Sequence, residues 1–217
     1  MDDIFSRFDL VLRAFWLTIQ LLVISGIIST VFGTVLAAMR VGPVSVLSKL
    51  GALYVSLVRN TPLLVVFIFV FVAAPTLGWF VETPFLLKGT IALTVYTSAF
   101  VCEAIRAGIN SVALGQAEAA RAIGLTFTGT MREVILPQAF RATVPPLASV
   151  LIALAKNTSV AAAFGLMEAT GRMRFFTNNN ADDRPLIFLT FALGYIIIVE
   201  TMSFGAATLE RRWRVAK

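Results

Sequence analysis

Long apolar segments alternate with shorter polar ones along nearly the whole of this 217-residue chain. A helix needs about 20 mostly apolar residues to cross the hydrocarbon core of a bilayer, and five segments approach that length. They cover about 14–39, 50–80, 85–109, 142–167 and 186–209. The pattern predicts an all-α membrane protein with about five transmembrane helices, folded as a single domain over residues 1–217.

The amino-acid composition supports a membrane protein and removes several kinds of chemistry. Hydrophobic residues make up 58% of the chain, charged residues make up 14%, and the mean hydropathy is +0.87. Soluble domains carry about 25% charged residues. Cys102 is the only cysteine and there is no histidine, which excludes an internal disulfide, cysteine zinc sites and histidine-dependent catalysis. We therefore expect no metal, no cofactor and no catalytic residue.

The distribution of Lys and Arg predicts the orientation of the chain. With the N-terminus outside, eleven of the eighteen Lys and Arg residues fall on the inner side and six on the outer side, with Lys156 within the fourth span. Acidic residues such as Asp2, Asp3 and Glu168 fall outside. Because cytoplasmic loops carry the basic excess, we expect the N-terminus outside, the C-terminus inside and the segment 111–139 in the cytoplasm. Topology then explains the basic charge, and we expect no nucleic acid partner.

The segment 111–139 is polar and carries helix signals, although apolar spans flank it. Alanines favour a helix in its first half, and Gly124 permits a turn in the left-handed conformation. Thr130 and Glu133 have the spacing of a capping box for a second short helix, which Pro137 would end. A small-residue helix of this kind fits a groove on another protein; a solvated loop is the alternative.

Fixed residues at fixed spacing favour docking. The segment contains Glu118-Ala119-Ala120, three residues, Gly124, nine residues and then Val134-Ile135-Leu136-Pro137. This resembles the EAA loop of ABC importer permeases, which has Ile where Val134 stands here. The resemblance implies that the loop docks into a cleft of an ATP-hydrolysing subunit. The residues that it assigns to this coupling are Glu118, Ala119, Ala120, Gly124, Leu136 and Pro137.

Four further segments resemble the branch of that family that carries polar amino acids, of the glutamate, glutamine and histidine type. They are Arg59-Asn60-Thr61-Pro62-Leu63-Leu64, Tyr96-Thr97-Ser98-Ala99-Phe100 with Glu103 and Arg106, Gly115-Gln116-Ala117, and Lys156-Asn157-Thr158-Ser159. A Gly is more usual in the branch where Asn60 stands. The resemblance extends over about residues 15–217.

The resemblance implies a type I importer fold in the bacterial plasma membrane. It also implies a permease subunit that moves a polar amino acid, glutamate or a related one, by alternating access. The implied partners are ATP-hydrolysing subunits, a second permease that is identical or paralogous, an extracytoplasmic amino-acid-binding protein, the substrate and membrane lipid. The chain has no GxxxxGK[ST] phosphate loop, so ATP hydrolysis is expected on a partner and no enzymatic activity here. A membrane scaffold that docks a partner without transport is the alternative.

Polar residues within the spans are candidates for the substrate pathway, since such residues are costly at membrane depth and are usually functional. The candidates are Asn60, Thr61, Lys156, Asn157, Thr158 and Ser159. For Lys156 the alternatives are an ion pair with Glu200 or a side chain that extends to the membrane surface. For the others they are hydrogen bonds from the two hydroxyls to their own helix and simple packing at the bend before Pro62. Glu103 and Arg106 are three residues apart, and we expect them to pair.

Overall fold

A computed structural model describes residues 7–213, with the side chains of residues 7–211. Asp2, Asp3, Arg214 and Lys217, which enter the charge argument, lie outside the described residues, as does the side chain of Arg212. The described part contains helices and no strand. The helices in chain order are α1 (Phe8–Val41), α2 (Ser45–Arg59), α3 (Leu63–Thr76), α4 (Phe85–Asn110), α5 (Leu114–Ala122), α6 (Phe127–Phe164), α7 (Ala169–Asn179) and α8 (Arg184–Trp213).

Four of these helices, α1, α4, α6 and α8, are each long and apolar enough to cross a membrane. The pair α2 and α3 forms a fifth candidate, a broken span bent by 100°. The break falls at residues 60–62, because Pro62 lacks a backbone N–H and disfavours a helical conformation of the residue before it. The predicted all-helical fold class with about five spans is confirmed. The bend expected before Pro62 is an angle of 100° between α2 and α3.

The helices α1 and α4 run in the same direction at the centre of the bundle. A Cβ atom added to Gly33 of α1 would lie 2.6 Å from Cβ of Val101 and 2.8 Å from the carbonyl oxygen of Ser98. Such small residues set helix packing in lipid, where close approach of the backbones is the main source of attraction. The helix α6 packs antiparallel on α4, and its Leu154 joins Leu21 of α1 in a fully buried cluster.

The long helix α6 changes its hydrogen-bonding pattern three times along its length. It is α-helical over Phe127–Gly129, π-helical over Thr130–Ile135, α-helical over Leu136–Asn157 and 3-10 helical over Thr158–Phe164. Pro145 and Pro146 lie inside its α-helical part. The chain then turns at Gly165, whose φ of +87° is a left-handed conformation that glycine adopts without strain.

The turn expected at Gly124 is present. The helix α5 ends at Ala122, and Gly124 has a φ of +88°. The N–H of Leu125 donates to the carbonyl of Ala120 at 3.1 Å, and the N–H of Gly124 donates to the carbonyl of Arg121 at 3.0 Å. These two bonds form a Schellman motif, which satisfies the last carbonyls of α5 and sets the angle between α5 and α6.

The start of α6 differs from the sequence prediction in two respects. Thr126 caps the helix, because its hydroxyl accepts a hydrogen bond from the N–H of Gly129 at 3.2 Å. Thr130 already lies in the π-helical turn, so the predicted capping box of Thr130 and Glu133 is wrong. Pro137 does not end a helix either. It stands inside α6, directly after the π-helical turn, where the hydrogen-bonding pattern of the helix changes.

Replacing Gly33 by Ala should destabilise the contact of α1 with α4, because the new Cβ would overlap Val101 and the backbone of Ser98. Overpacking of this kind costs about 1–3 kcal/mol. Gly205→Ala in α8 is the matched control, since no described atom beyond the neighbouring backbone of its own helix lies within 4 Å of a Cβ at that position. Thermal unfolding in detergent should show a lower midpoint for Gly33→Ala only, and equal midpoints would contradict the close approach.

Candidate functional site

The space between α4 and α6 forms the central cavity, with a volume of about 380 Å³. Its lining includes Tyr96, Thr97, Phe100, Ser149, Ala153 and Asn157. The side chain of Thr97 is 3% exposed, and within the described residues its hydroxyl has no hydrogen-bond partner. A buried hydroxyl without a partner is unfavourable by about 1–3 kcal/mol. The cavity is therefore lined by hydroxyl, amide and aromatic side chains, and the unsatisfied hydroxyl of Thr97 is buried beside it.

A second space, the lateral cavity of about 280 Å³, lies between α6, α7 and α8. Its polar lining residues are Lys156, Ser159, Thr170 and Tyr195. Lys156 and Glu200 are both exposed, and no ion pair joins them in the part of the chain that the structure describes. The lateral cavity thus has one cationic side chain close to three hydroxyl groups.

The structure separates the run of polar residues predicted from Lys156 to Ser159. Neighbouring residues of a helix point about 100° apart, so Lys156 lines the lateral cavity and Asn157 the central cavity. Thr158 is fully buried and donates to the carbonyl of Ala155 at 2.7 Å, and Ser159 donates to the carbonyl of Lys156 at 2.7 Å. The run therefore contributes to two cavities and to helix hydrogen bonding.

The third space, the inner cavity, lies where α2 ends, beside the last turns of α1 and α4. It has a volume of about 320 Å³, and its polar lining residues are Arg40, Ser56, Arg59, Asn60 and Glu103, together with the ring of Phe100. Of the two candidates at the bend, Asn60 lines this cavity. Thr61 donates to the carbonyl of Leu57 at 2.8 Å.

The Glu103 carboxylate in the inner cavity is bound by arginines from three helices. The Arg106 guanidinium lies 3.2 Å from both carboxylate oxygens, which confirms the pair expected from the sequence. Arg40 at the end of α1 also donates to Glu103. Arg59 at the end of α2 lies 3.9 Å from the same carboxylate oxygen. Sequence reasoning missed Arg40 and Arg59, because only the fold brings them to α4.

The segment between α4 and α6 presents an exposed surface. Glu118 and Ala119 of α5 are exposed, as are Gly124, Leu136 and Pro137, whereas Ala120 is 4% exposed and packs against the chain itself. Two apolar side chains that the sequence analysis did not single out, Leu114 and Ile123, are 81% and 80% exposed near the two ends of α5. An exposed helix with apolar side chains at its ends is suited to bind a groove on a partner.

Comparison with known proteins assigns the chain. A family model described as binding-protein-dependent transport system inner membrane component matches residues 10–215. The chain belongs to this family. It is a permease subunit of an ABC importer, located in the bacterial inner membrane, and it is a transport component rather than an enzyme.

Relatives of the permease share most of its length. It is 42% identical over 216 residues to the glutamate transport system permease protein GluC of Corynebacterium glutamicum, covering 95% of each chain. It is 34% identical to the glutamate/aspartate import permease protein GltJ of Escherichia coli, covering 93% of this chain and 86% of that one. A crystal structure of an amino acid ABC transporter with histidines superposes with a TM-score of 0.90 at 27% identity, covering 97% of each chain. The type I importer fold is confirmed.

The permease contains a second carboxyl group that links several helices, which the sequence analysis missed. Glu168 was assigned to an outer segment, but its side chain is fully buried at the start of α7. The carboxylate accepts hydrogen bonds from the N–H groups of Thr170 at 3.1 Å and Gly171 at 2.9 Å, from the Tyr195 hydroxyl at 2.7 Å, and from Thr18 at 3.4 Å. Burial raises the pKa of this carboxyl. The hydrogen bonds that it accepts lower the pKa in part, and the bond from Tyr195 has the largest such effect. Glu168 thus joins α1, α7 and α8.

Glu168→Ala should destabilise the permease, because it leaves the backbone N–H groups of Thr170 and Gly171 without an acceptor. The Tyr195 hydroxyl would keep only the Thr170 hydroxyl, 3.0 Å away, as a partner. Each buried polar group left unsatisfied costs about 1–3 kcal/mol. Glu168→Gln retains one acceptor oxygen and should lose less. The control is Glu82→Ala, because Glu82 is exposed. Thermal unfolding in detergent should rank Glu82→Ala above Glu168→Gln and Glu168→Ala lowest; an unchanged midpoint for Glu168→Ala would contradict this role.

Proposed function

We propose that the permease moves an acidic amino acid, glutamate or a close relative, into the cell by alternating access. ATP hydrolysis on partner subunits would drive the movement. The relatives named for glutamate transport and for glutamate/aspartate import support the choice of substrate. The observation that carries the mechanism is that α6 is one continuous helix from the exposed docking segment to the wall of the central cavity.

The docking step rests on α5. Glu118 offers a charged contact, and the exposed apolar residues Leu114 and Ile123 would fill a cleft on the ATP-hydrolysing subunit. The Schellman motif at Gly124 holds α5 at a defined angle to α6. A movement of the ATPase cleft would therefore reach α6 directly. Ala120 is buried and serves as the small residue that lets the segment pack on itself.

The substrate step rests on the central cavity. Its volume lies within the range of about 300–1,000 Å³ that small-molecule sites occupy. The amide of Asn157 and the hydroxyl of Ser149 can bind a carboxylate or an ammonium. Because Ser149 and Asn157 belong to α6, movement of that helix would change the cavity. Lys156 and Ser159 would belong to the pathway only if the lateral cavity joins it.

The partners follow from the family. Its description as binding-protein-dependent implies an extracytoplasmic binding protein that delivers the amino acid. A second permease, identical or paralogous, would complete the membrane part. The long helix α8 supports a second subunit, because only 11% of its apolar 18-residue stretch is buried against the rest of the chain. The N-terminus would lie outside, as the distribution of basic residues predicts.

Glu118→Lys and Gly124→Pro should uncouple ATP hydrolysis from transport. The first reverses a contact charge, and the second places proline at a φ of +88°, which its ring cannot adopt. Uptake of labelled glutamate should fall about tenfold or more, while ATP hydrolysis no longer responds to substrate and binding protein. Glu82→Lys makes the same charge change outside the docking segment and is the control. Normal uptake by both variants would contradict docking through α5.

Uptake by cells that lack the chain, restored with native or variant genes, tests the substrate and the pathway together. Labelled glutamate, aspartate, glutamine, histidine and arginine form the panel, and native permease should restore glutamate best. Asn157→Leu should lower its uptake about tenfold, since it removes the central-cavity amide. Lys156→Met, which alters the lateral cavity, should have a smaller effect. If Lys156→Met is the more damaging change, the pathway follows the lateral cavity; if native permease restores no label, the amino-acid assignment is wrong.

A further inference from the structure

The inner cavity carries an excess of positive charge. Three guanidinium groups, of Arg40, Arg59 and Arg106, converge on the one carboxylate of Glu103. Arginine stays protonated in proteins, so the cluster has a net charge of about +2 when Glu103 is ionised. The salt bridges that these arginines form within the described residues all end on Glu103. The cluster is therefore not neutral, and it attracts a further anion.

Arg59 is the member of the cluster that is best placed to bind such an anion. Its side chain is 46% exposed, against 16% for Arg40 and 27% for Arg106. It lies 3.9 Å from Glu103, farther than the other two, and within residues 7–211 no oxygen accepts a hydrogen bond from its guanidinium. A guanidinium has five N–H donors in a planar fork that matches a carboxylate.

The position of Phe100 connects the inner cavity with the central cavity. Phe100 lines both spaces and is the one described residue that their linings share. The guanidinium carbon of Arg59 lies 5.6 Å from the centroid of the Phe100 ring, a cation–π distance. A rotation of Phe100 would join the two cavities and bring Arg59 into contact with a molecule leaving the central one.

We propose that the inner cavity is a second anion site, in which Arg59 binds a carboxylate of the transported amino acid after it passes Phe100. The site would lie on the side of the bundle that carries the segment 111–139. Arg40 and Arg106 neutralise and hold Glu103, while Arg59 exchanges its weak contact with Glu103 for the carboxylate of the cargo. The inference rests on the proposed transport of an acidic amino acid, and such a cargo offers two carboxylates to the site.

The same guanidinium chemistry could bind the phosphate of a lipid headgroup. Two observations favour the cargo. The inner cavity borders the central cavity through Phe100, and its lining combines the amide of Asn60 and the hydroxyl of Ser56 with the charges. An amino acid presents an ammonium as well as carboxylates. The side-chain oxygen atoms of Glu103, Asn60 and Ser56 can accept hydrogen bonds from that ammonium.

The first test uses the importer reconstituted in vesicles with its ATPase, second permease and binding protein. Arg59→Gln should lower the maximal rate of glutamate uptake about tenfold, and Arg59→Lys should recover part of it because the charge is kept. Lys49→Gln is the matched control, since Lys49 is an exposed cation on the same helix that does not line the cavity. If native importer takes up no glutamate, the proposed function fails. If it does and Arg59→Gln matches Lys49→Gln, only the second site is refuted.

Lipid composition separates the two sources of anion. Native and Arg59→Gln importers are compared in vesicles of phosphatidylcholine alone and of phosphatidylcholine with phosphatidylglycerol. A site for the cargo predicts the same loss of uptake in both. A loss that appears only with phosphatidylglycerol would assign the site to a lipid headgroup and overturn the proposal.

A labelling measurement reports on the site without transport. Asn60→Cys places a thiol in the inner cavity, and the native thiol of Cys102 is buried. In the purified importer complex, an anionic methanethiosulfonate should react about tenfold faster with this thiol when Arg59 is present than with Arg59→Gln. A neutral methanethiosulfonate should not discriminate, and glutamate should slow the anionic reagent more than glutamine does. Equal rates with and without Arg59, or no protection by glutamate, would overturn the proposal.

Discussion

Every backbone N–H and C=O group in the core of a bilayer must find a hydrogen-bond partner within the protein. This constraint makes the described part of the chain helical, and it gives weight to each place where the α-helical pattern changes. The changes occur at the break before Pro62, the π-helical turns at Phe69–Ala73 and Thr130–Ile135, and the 3-10 segment Thr158–Phe164. The break at Pro62, the turn that begins at Thr130 and the 3-10 segment border a cavity or the docking segment. The π-helical turn Phe69–Ala73 instead contributes Val70 to the hydrophobic core.

Two carboxylates in this bundle link several helices. The Glu103 carboxylate holds the ends of α1, α2 and α4, and the Glu168 carboxylate holds α1, α7 and α8. Glu103 contacts α1 at Arg40 in its last turn, and Glu168 contacts it at Thr18 in its first half. The hydrophobic effect contributes little to helix association in lipid, so such polar contacts specify which helices meet. Glu168 has all its partners within the chain, whereas the Glu103 cluster keeps a surplus of charge and an open cavity.

The sequence predicted the features that depend on local rules. Apolar length located most of the helices, the glycine rule located the turn at Gly124, and helical spacing paired Glu103 with Arg106. The sequence could not predict contacts that only the fold creates, such as those of Arg40 and Arg59 with Glu103. The burial of Glu168 was also hidden, because Glu is not a favoured cap residue. Residues 156–159 were grouped by adjacency, although the angle of about 100° between successive residues already separates them.

The paired prolines make α6 more flexible in its middle than towards its ends. About 45 Å of helix separates Phe127 from Asn157 at the usual rise per residue, so a tilt of a few degrees at one end displaces the other by several ångströms. Pro145 and Pro146 remove two backbone donors part-way along this length, and the hydroxyl of Ser149 donates to the Pro145 carbonyl at 3.1 Å. The helix is thus more flexible around these prolines than on either side of them. The stiffness of this proline segment sets how much of a displacement at the docking end reaches the cavity wall.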